Sequence, residues 1–142
     1  MSASGTGPFE NDFAMDLCDE LRDLEGSEVL AALEEALASA ADVPTGDYLD
    51  RDLAEPAVAA SAIILASFLG REHVLEEADL AGSVSEIPAH FLPLVASALA
   101  RTLSDDSEVY GLWIDAGRGE EWKSRVERLL NDATRATGEV IE

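Results

Sequence analysis

Thirteen consecutive residues, Ala57 to Leu69, carry no charge; they read Ala-Val-Ala-Ala-Ser-Ala-Ile-Ile-Leu-Ala-Ser-Phe-Leu. A helix built from them is apolar nearly all round, and such a helix is stable in water only when neighbours cover it on several sides. The segment is shorter than the roughly 20 residues that a bilayer-spanning helix needs. It therefore predicts a buried helix in the middle of a bundle. Pro56 suits its first turn, and Gly70 suits the position just past its end.

The flanking sequence supplies partners for that helix. Phe13, Leu17, Leu21 and Leu24 recur at helical spacing and predict a helix from Asp12 to Glu25, with Asn11 as N-cap and Gly26 as its end. Ser27 would cap a second helix to Ala41, whose apolar face is Val29, Leu30, Leu33 and Leu37. The short Gly26-Ser27 joint predicts a tight helical hairpin. Residues 42–53 read as a polar loop, and Glu72 to Leu80 as either irregular chain or a short helix. Gly82 to Pro88 reads as loop, with Val84 and Ile87 as a brief extended piece. Pro93 opens a helix to Leu103. Asp105 to Glu108 matches a capping box in front of a helix carrying Val109, Leu112 and Trp113. Gly117 and Gly119 break that helix. A last one holds Trp122, Val126, Leu129, Leu130 and Ala133, and frays before Gly138. β-Branched residues are few and strict alternation is absent. The expected fold is thus all-α. It is one domain over residues 1–142, a bundle of five to six helices with residues 1–10 as a lead-in and 136–142 as a frayed tail.

Charge narrows the function classes. The formal net charge is −21, although 47% of residues are hydrophobic, enough for a packed core rather than disorder. A phosphate backbone demands a basic face, so nucleic acid is excluded as an ordinary partner, and anionic membrane is disfavoured on the same ground. Residues 1–100 hold 20 acids against three bases, and residues 101–142 hold 10 against six. A polyanionic front of this kind fits two roles: a docking surface that steers a basic protein, or solubility in a salty cytosol. The lone cysteine, Cys18, cannot form an internal disulfide. Its acidic neighbours Asp16, Asp19 and Glu20 disfavour a thiolate. The first residues have neither a basic region nor an apolar run, as a secretory signal would. The expected location is cytoplasmic, and the oligomeric state is open.

Motifs for chemistry are missing from the sequence. It has no nucleophile elbow, Walker loop or dinucleotide fingerprint. His73 and Glu76 stand one helical turn apart, but two ligands do not make a metal site. Asp47, Asp50, Asp52 and Glu55 lack the spacing of a calcium loop. Trp113 and Trp122 read as core residues on either side of the Gly117–Gly119 turn. No cofactor and no catalytic residue is expected.

One stretch is more distinctive. Gly5-Thr-Gly-Pro-Phe-Glu-Asn-Asp12, followed by Ala14, Asp16 and Leu17, resembles the opening of an uncharacterised, largely bacterial family, the domain of unknown function numbered forty-two fifty-nine. Tyr48-Leu49, the Ala-rich helix from Ala57, and Trp113 with Glu121-Trp122 are similar to later parts of that family. Ser4 stands where the family usually has Trp, and Phe13 where a second Asp is common. The resemblance implies a small helical domain and brings no activity with it. On physical grounds Gly5, Gly7 and Pro8 shape a tight lead-in, Phe9 plugs an apolar gap and Asn11 caps the first helix. Alternatively the stretch is a fixed loop presented to a ligand or partner, with Gly7, Phe9, Glu10, Asn11, Asp12 and Asp16 as binding residues. The leading expectation is a non-enzymatic acidic interaction domain, an immunity- or antitoxin-like inhibitor of a basic protein. A carboxylate- or divalent-metal-dependent enzyme built around Asn11–Asp16 is the alternative, and a self-associating structural protein is a third.

Overall fold

The computed structural model describes residues 6–44, 46–82, 84 and 87–141; Ser4 and Gly5 of the distinctive stretch lie outside the described residues. The helices are α1 (Asp12–Arg22), α2 (Ser27–Ala41), α3 (Arg51–Leu69), α4 (Glu72–Glu77), α5 (Phe91–Thr102), α6 (Glu108–Asp115) and α7 (Gly119–Ile141). Among the described residues these seven are the whole of the regular structure, apart from one parallel bridge between Leu49 and Ser107. The all-α expectation holds. The count exceeds five to six because the short α4 is a helix in its own right.

The charge-free segment does become the centre. Twelve residues of α3 are buried, and α1, α2, α4, α5, α6 and α7 all pack against it. It is the one helix among the described residues long and apolar enough to cross a membrane by length and composition, yet 67% of that stretch is buried inside the protein. Gly70 closes it in the left-handed conformation, φ 67°, which only glycine adopts without strain. Its start corrects the sequence reading. The helix begins at Arg51 rather than Pro56, because the amides of Leu53 and Ala54 both find the Asp50 carbonyl. Pro56 therefore sits inside the helix and leaves one rung of its ladder undonated.

Two other expectations are corrected. The predicted hairpin of the first two helices is not tight. α1 and α2 each pack on α3 and barely touch one another. Their buried leucines, Leu17 and Leu21 on one and Leu33 and Leu37 on the other, are drawn to the larger apolar surface of α3. The predicted capping box also does other work: the residue before α6 is Ser107 and no side chain caps that helix. Instead Glu108 Oε1 accepts a hydrogen bond from the Arg51 amide at 2.8 Å, satisfying a free N–H at the start of α3.

Glu108 is one stitch in a seam. The Leu49 amide donates to the Asp106 carbonyl, and the Glu108 amide to the Leu49 carbonyl, each at 2.9 Å. Arg101, 8% exposed, donates from Nε to the Val43 carbonyl at 3.0 Å, and through Nη2 to the carbonyls of Pro44 and Asp47. Part of the expected polar loop at 42–50 is thereby fixed to the α5–α6 turn. At the far end α7 runs on through Gly138 to Ile141, past the point where its sequence predicts fraying.

Candidate functional site

The distinctive stretch turns inward. The Gly7 amide donates to Glu10 Oε1 at 3.1 Å and the Glu10 amide to the Gly7 carbonyl at 3.3 Å, closing a turn. A side chain at Gly7 would displace that carboxylate. Phe9 is part of the core. Asn11 is buried, and its Oδ1 accepts the Ala14 amide at 2.8 Å, the N-cap its position predicts. Thr6, Gly7, Pro8 and Asn11 meet Glu55, Val58, Trp113 and Trp122 around a gap of about 10 Å³, which holds no more than about one water. Both tryptophans are core residues, as expected. Trp122 pairs with Tyr110 at 5.3 Å between ring centroids, and the Arg118 guanidinium lies 5.3 Å from the Trp113 ring centre.

Behind the turn lies a charge that sequence reasoning missed. Glu55 is 4% exposed. Its Oε2 pairs with Arg51 at 2.9 Å to Nη2 and 3.2 Å to Nε, while the Arg51 guanidinium lies 5.2 Å from the centre of the Phe13 ring. Burial pushes the Glu55 carboxyl above its usual range, the Arg51 hydrogen bond opposes the shift, and the charges of Glu108 and Asp12 add to it. The Arg51–Glu55 spacing of four was the available signal; reading residues 42–53 as loop concealed it. Burial likewise raises the Cys18 thiol to about 11, with Arg22 opposing and Asp19 assisting. Cys18 is thus a buried thiol without nucleophilic character at neutral pH.

The splay of α1 from α2 opens a groove of about 340 Å³. Phe13, Leu17, Ala32, Ala36, Leu53 and Pro56 give it apolar walls, and Asp16, Glu20, Glu35 and Asp52 line it with four carboxylates and no base. Those four carboxylates make no ion pair among the described residues. A concave apolar surface edged by one sign of charge concentrates field and attracts the opposite sign.

The six residues singled out from the sequence therefore do not form one site. Gly7 and Asn11 share the closed gap, Glu10 closes the turn on Gly7, Phe9 enters the core, Asp12 is exposed at the head of α1, and Asp16 alone lines the groove. Glu20, Glu35 and Asp52 join Asp16 from three helices, a grouping no local pattern encodes. Among the described residues, no three His, Cys, Asp or Glu side chains gather as metal ligands would.

Fold and surface together define an all-helical acidic domain with a closed amino-terminal turn and an open anionic groove. Residues 2–125 match the family described as Domain of unknown function (DUF4259), and the chain belongs to that family. No curated protein and no solved structure matches it.

Proposed function

We propose that the protein is a binding protein whose α1–α2–α3 groove receives a basic, partly apolar segment of a partner protein. The observation that carries this reading is the groove itself: four carboxylates without a counter-charge, set beside apolar walls. Apolar contact supplies affinity and the carboxylates supply steering and choice of partner. An inhibitor of a basic protein, in the manner of an immunity protein or antitoxin, is the concrete form.

The test is affinity capture from the native host's lysate, with wild type and with the quadruple variant D16N/E20Q/E35Q/D52N, at low and moderate salt. The expected result is one dominant basic protein, held by wild type, weakened by salt and lost by the variant. Equal capture by the variant would move the interaction off the groove. Absence of any captured protein at either salt would end the reading.

A further inference from the structure

The eight arginines of the chain divide by use. Arg22 donates to the Ala78 carbonyl and pairs with Asp19. Arg51 pairs with Glu55, Arg101 holds the 43–47 carbonyls, and Arg118 pairs with Glu121. Those four tie the fold together. The other four, Arg71, Arg125, Arg128 and Arg135, border two adjoining depressions between the α3–α4 corner and α7.

The larger depression is a groove of about 410 Å³, within the size range of small-molecule sites. Its polar lining is Thr6, Arg71, His73, Arg125, Arg128 and Asp132, three arginines against one carboxylate. Arg71 is held by Asp132 at 2.8 Å. Arg125 and Arg128 make no hydrogen bond or ion pair among the described residues. Arg125 is close enough to Glu121 to help lower that carboxyl, but Glu121 is chiefly engaged by Arg118. The apolar lining comes from Val58, Val74, Val126 and Leu129, of which Val58 and Val126 are core residues. In a chain of net charge −21, Arg125, Arg128 and Arg135 outnumber Asp132 on the side of α7 that lines these depressions, over a concave apolar surface.

We infer that the α4–α7 groove binds a small organic anion, a carboxylate or phosphate head on an apolar body. Guanidinium forks match such oxyanions in shape and charge. Asp132 fixes Arg71 in place, and Arg125 and Arg128 are left to meet the head. The body rests on Val58, Val74, Val126 and Leu129. Arg71, His73 and Arg125 lie within the family match, and Arg128, Asp132 and Arg135 lie beyond its last residue. The site does not depend on the acidic groove or on any partner there.

The test is an NMR titration of the ¹⁵N-labelled full chain, following the backbone amides of Val126 and Leu129. The probes are phenyl phosphate, phenylacetate, inorganic phosphate and benzyl alcohol. Phenyl phosphate or phenylacetate should give saturable shifts there, and inorganic phosphate and benzyl alcohol should bind several-fold more weakly. In R125Q/R128Q the aromatic anion should bind about tenfold more weakly or worse, because charge-assisted hydrogen bonds are lost. In K123Q, on the same helix but outside the groove, affinity should not change. Both arginines are exposed, so the double variant should keep the wild-type circular dichroism; should it not, R128Q alone serves. No saturable shift from either aromatic anion up to about 10 mM, where even weak small-ligand sites fill, would overturn the inference. Unchanged affinity in the arginine variant would do the same. Inorganic phosphate binding as tightly as phenyl phosphate would reduce the groove to a cationic patch, and benzyl alcohol binding as tightly would reduce it to an apolar one.

Discussion

The α1–α2–α3 groove and the α4–α7 groove are similar in size, about 340 and 410 Å³, and α3 helps to build both. Asp52, Leu53 and Pro56 face the first, and Val58, half a turn or more further on, faces the second. Both rest on core side chains, Leu17 on one side and Val126 on the other. They differ in sign. One is lined by four carboxylates and no base, the other by three arginines and one carboxylate. A single apolar core can therefore present two opposed electrostatic surfaces, and net charge alone describes neither. The overall −21 accounts for the first groove and hides the second.

If the grooves share a rigid support and differ only at their linings, truncating the support should have the largest effect. Leu17→Ala should cost about 2–5 kcal/mol of unfolding free energy, read by urea denaturation, and should expose Cys18 to thiol reagents that do not reach it in the native state. A cost below about 1 kcal/mol would mean that α1 repacks, and that the acidic groove is adaptable rather than preformed. Next in size, D16N/E20Q/E35Q/D52N should weaken a lysine-rich amphipathic helical peptide by tenfold or more in calorimetry, since each exposed charge pair contributes roughly 0.2–1 kcal/mol. Thermal stability should hold or rise as like charges are removed. The independence of the two grooves is sharpened by the crossed measurement. R125Q/R128Q should leave peptide affinity within about twofold, well inside what a remote, additive site allows, and any larger loss would show that the grooves are coupled.

The smallest expected effect concerns the carboxylate buried between them. The folded-state value of Glu55 lies above the ordinary 4.5 because of burial. Between those two values the native state holds a proton that the unfolded chain releases. The stability linked to that proton is fully present below about 4.5 and is lost as pH rises through the folded value. Wild type should therefore lose stability relative to E55Q as pH is raised from about 4.5 towards neutral, in paired denaturation curves. Parallel curves would mean that Arg51 compensates the burial in full.

Sequence legibility followed locality. The central position of α3 could be read because thirteen charge-free residues have no other stable place. Asn11 could be read as a cap because capping acts within three residues. The acidic groove could not, because a short Gly26-Ser27 joint argues for contact between α1 and α2, and only the competing surface of α3 pulls them apart. Glu55 was visible as an acid but not as a buried one, since that depended on the true start of α3 at Arg51. The meeting of Arg71 with Arg125 and Arg128 spans more than half a hundred positions along the chain and leaves no local trace. The motif resemblance located the family correctly, yet Gly7, Pro8 and Asn11 turn into the closed gap, Asp12 is exposed away from the groove, and only Asp16 and Leu17 of the motif line it.

The stitching of residues 42–51 to 101–108 also has a temporal consequence. Arg101 reaches back 58 positions to Val43, and Glu108 reaches back 57 to the Arg51 amide. During synthesis, α1, α2 and α3 leave the ribosome well before these anchors exist, with α3 still lacking its cover from α5, α6 and α7 and the Arg51 amide unfastened. Asp52, which helps line the acidic groove, belongs to the first turn of α3. The partner proposed for the finished groove would thus meet it only after residue 108 has emerged, and the nascent amino-terminal half, however acidic, would not yet be the surface to recognise.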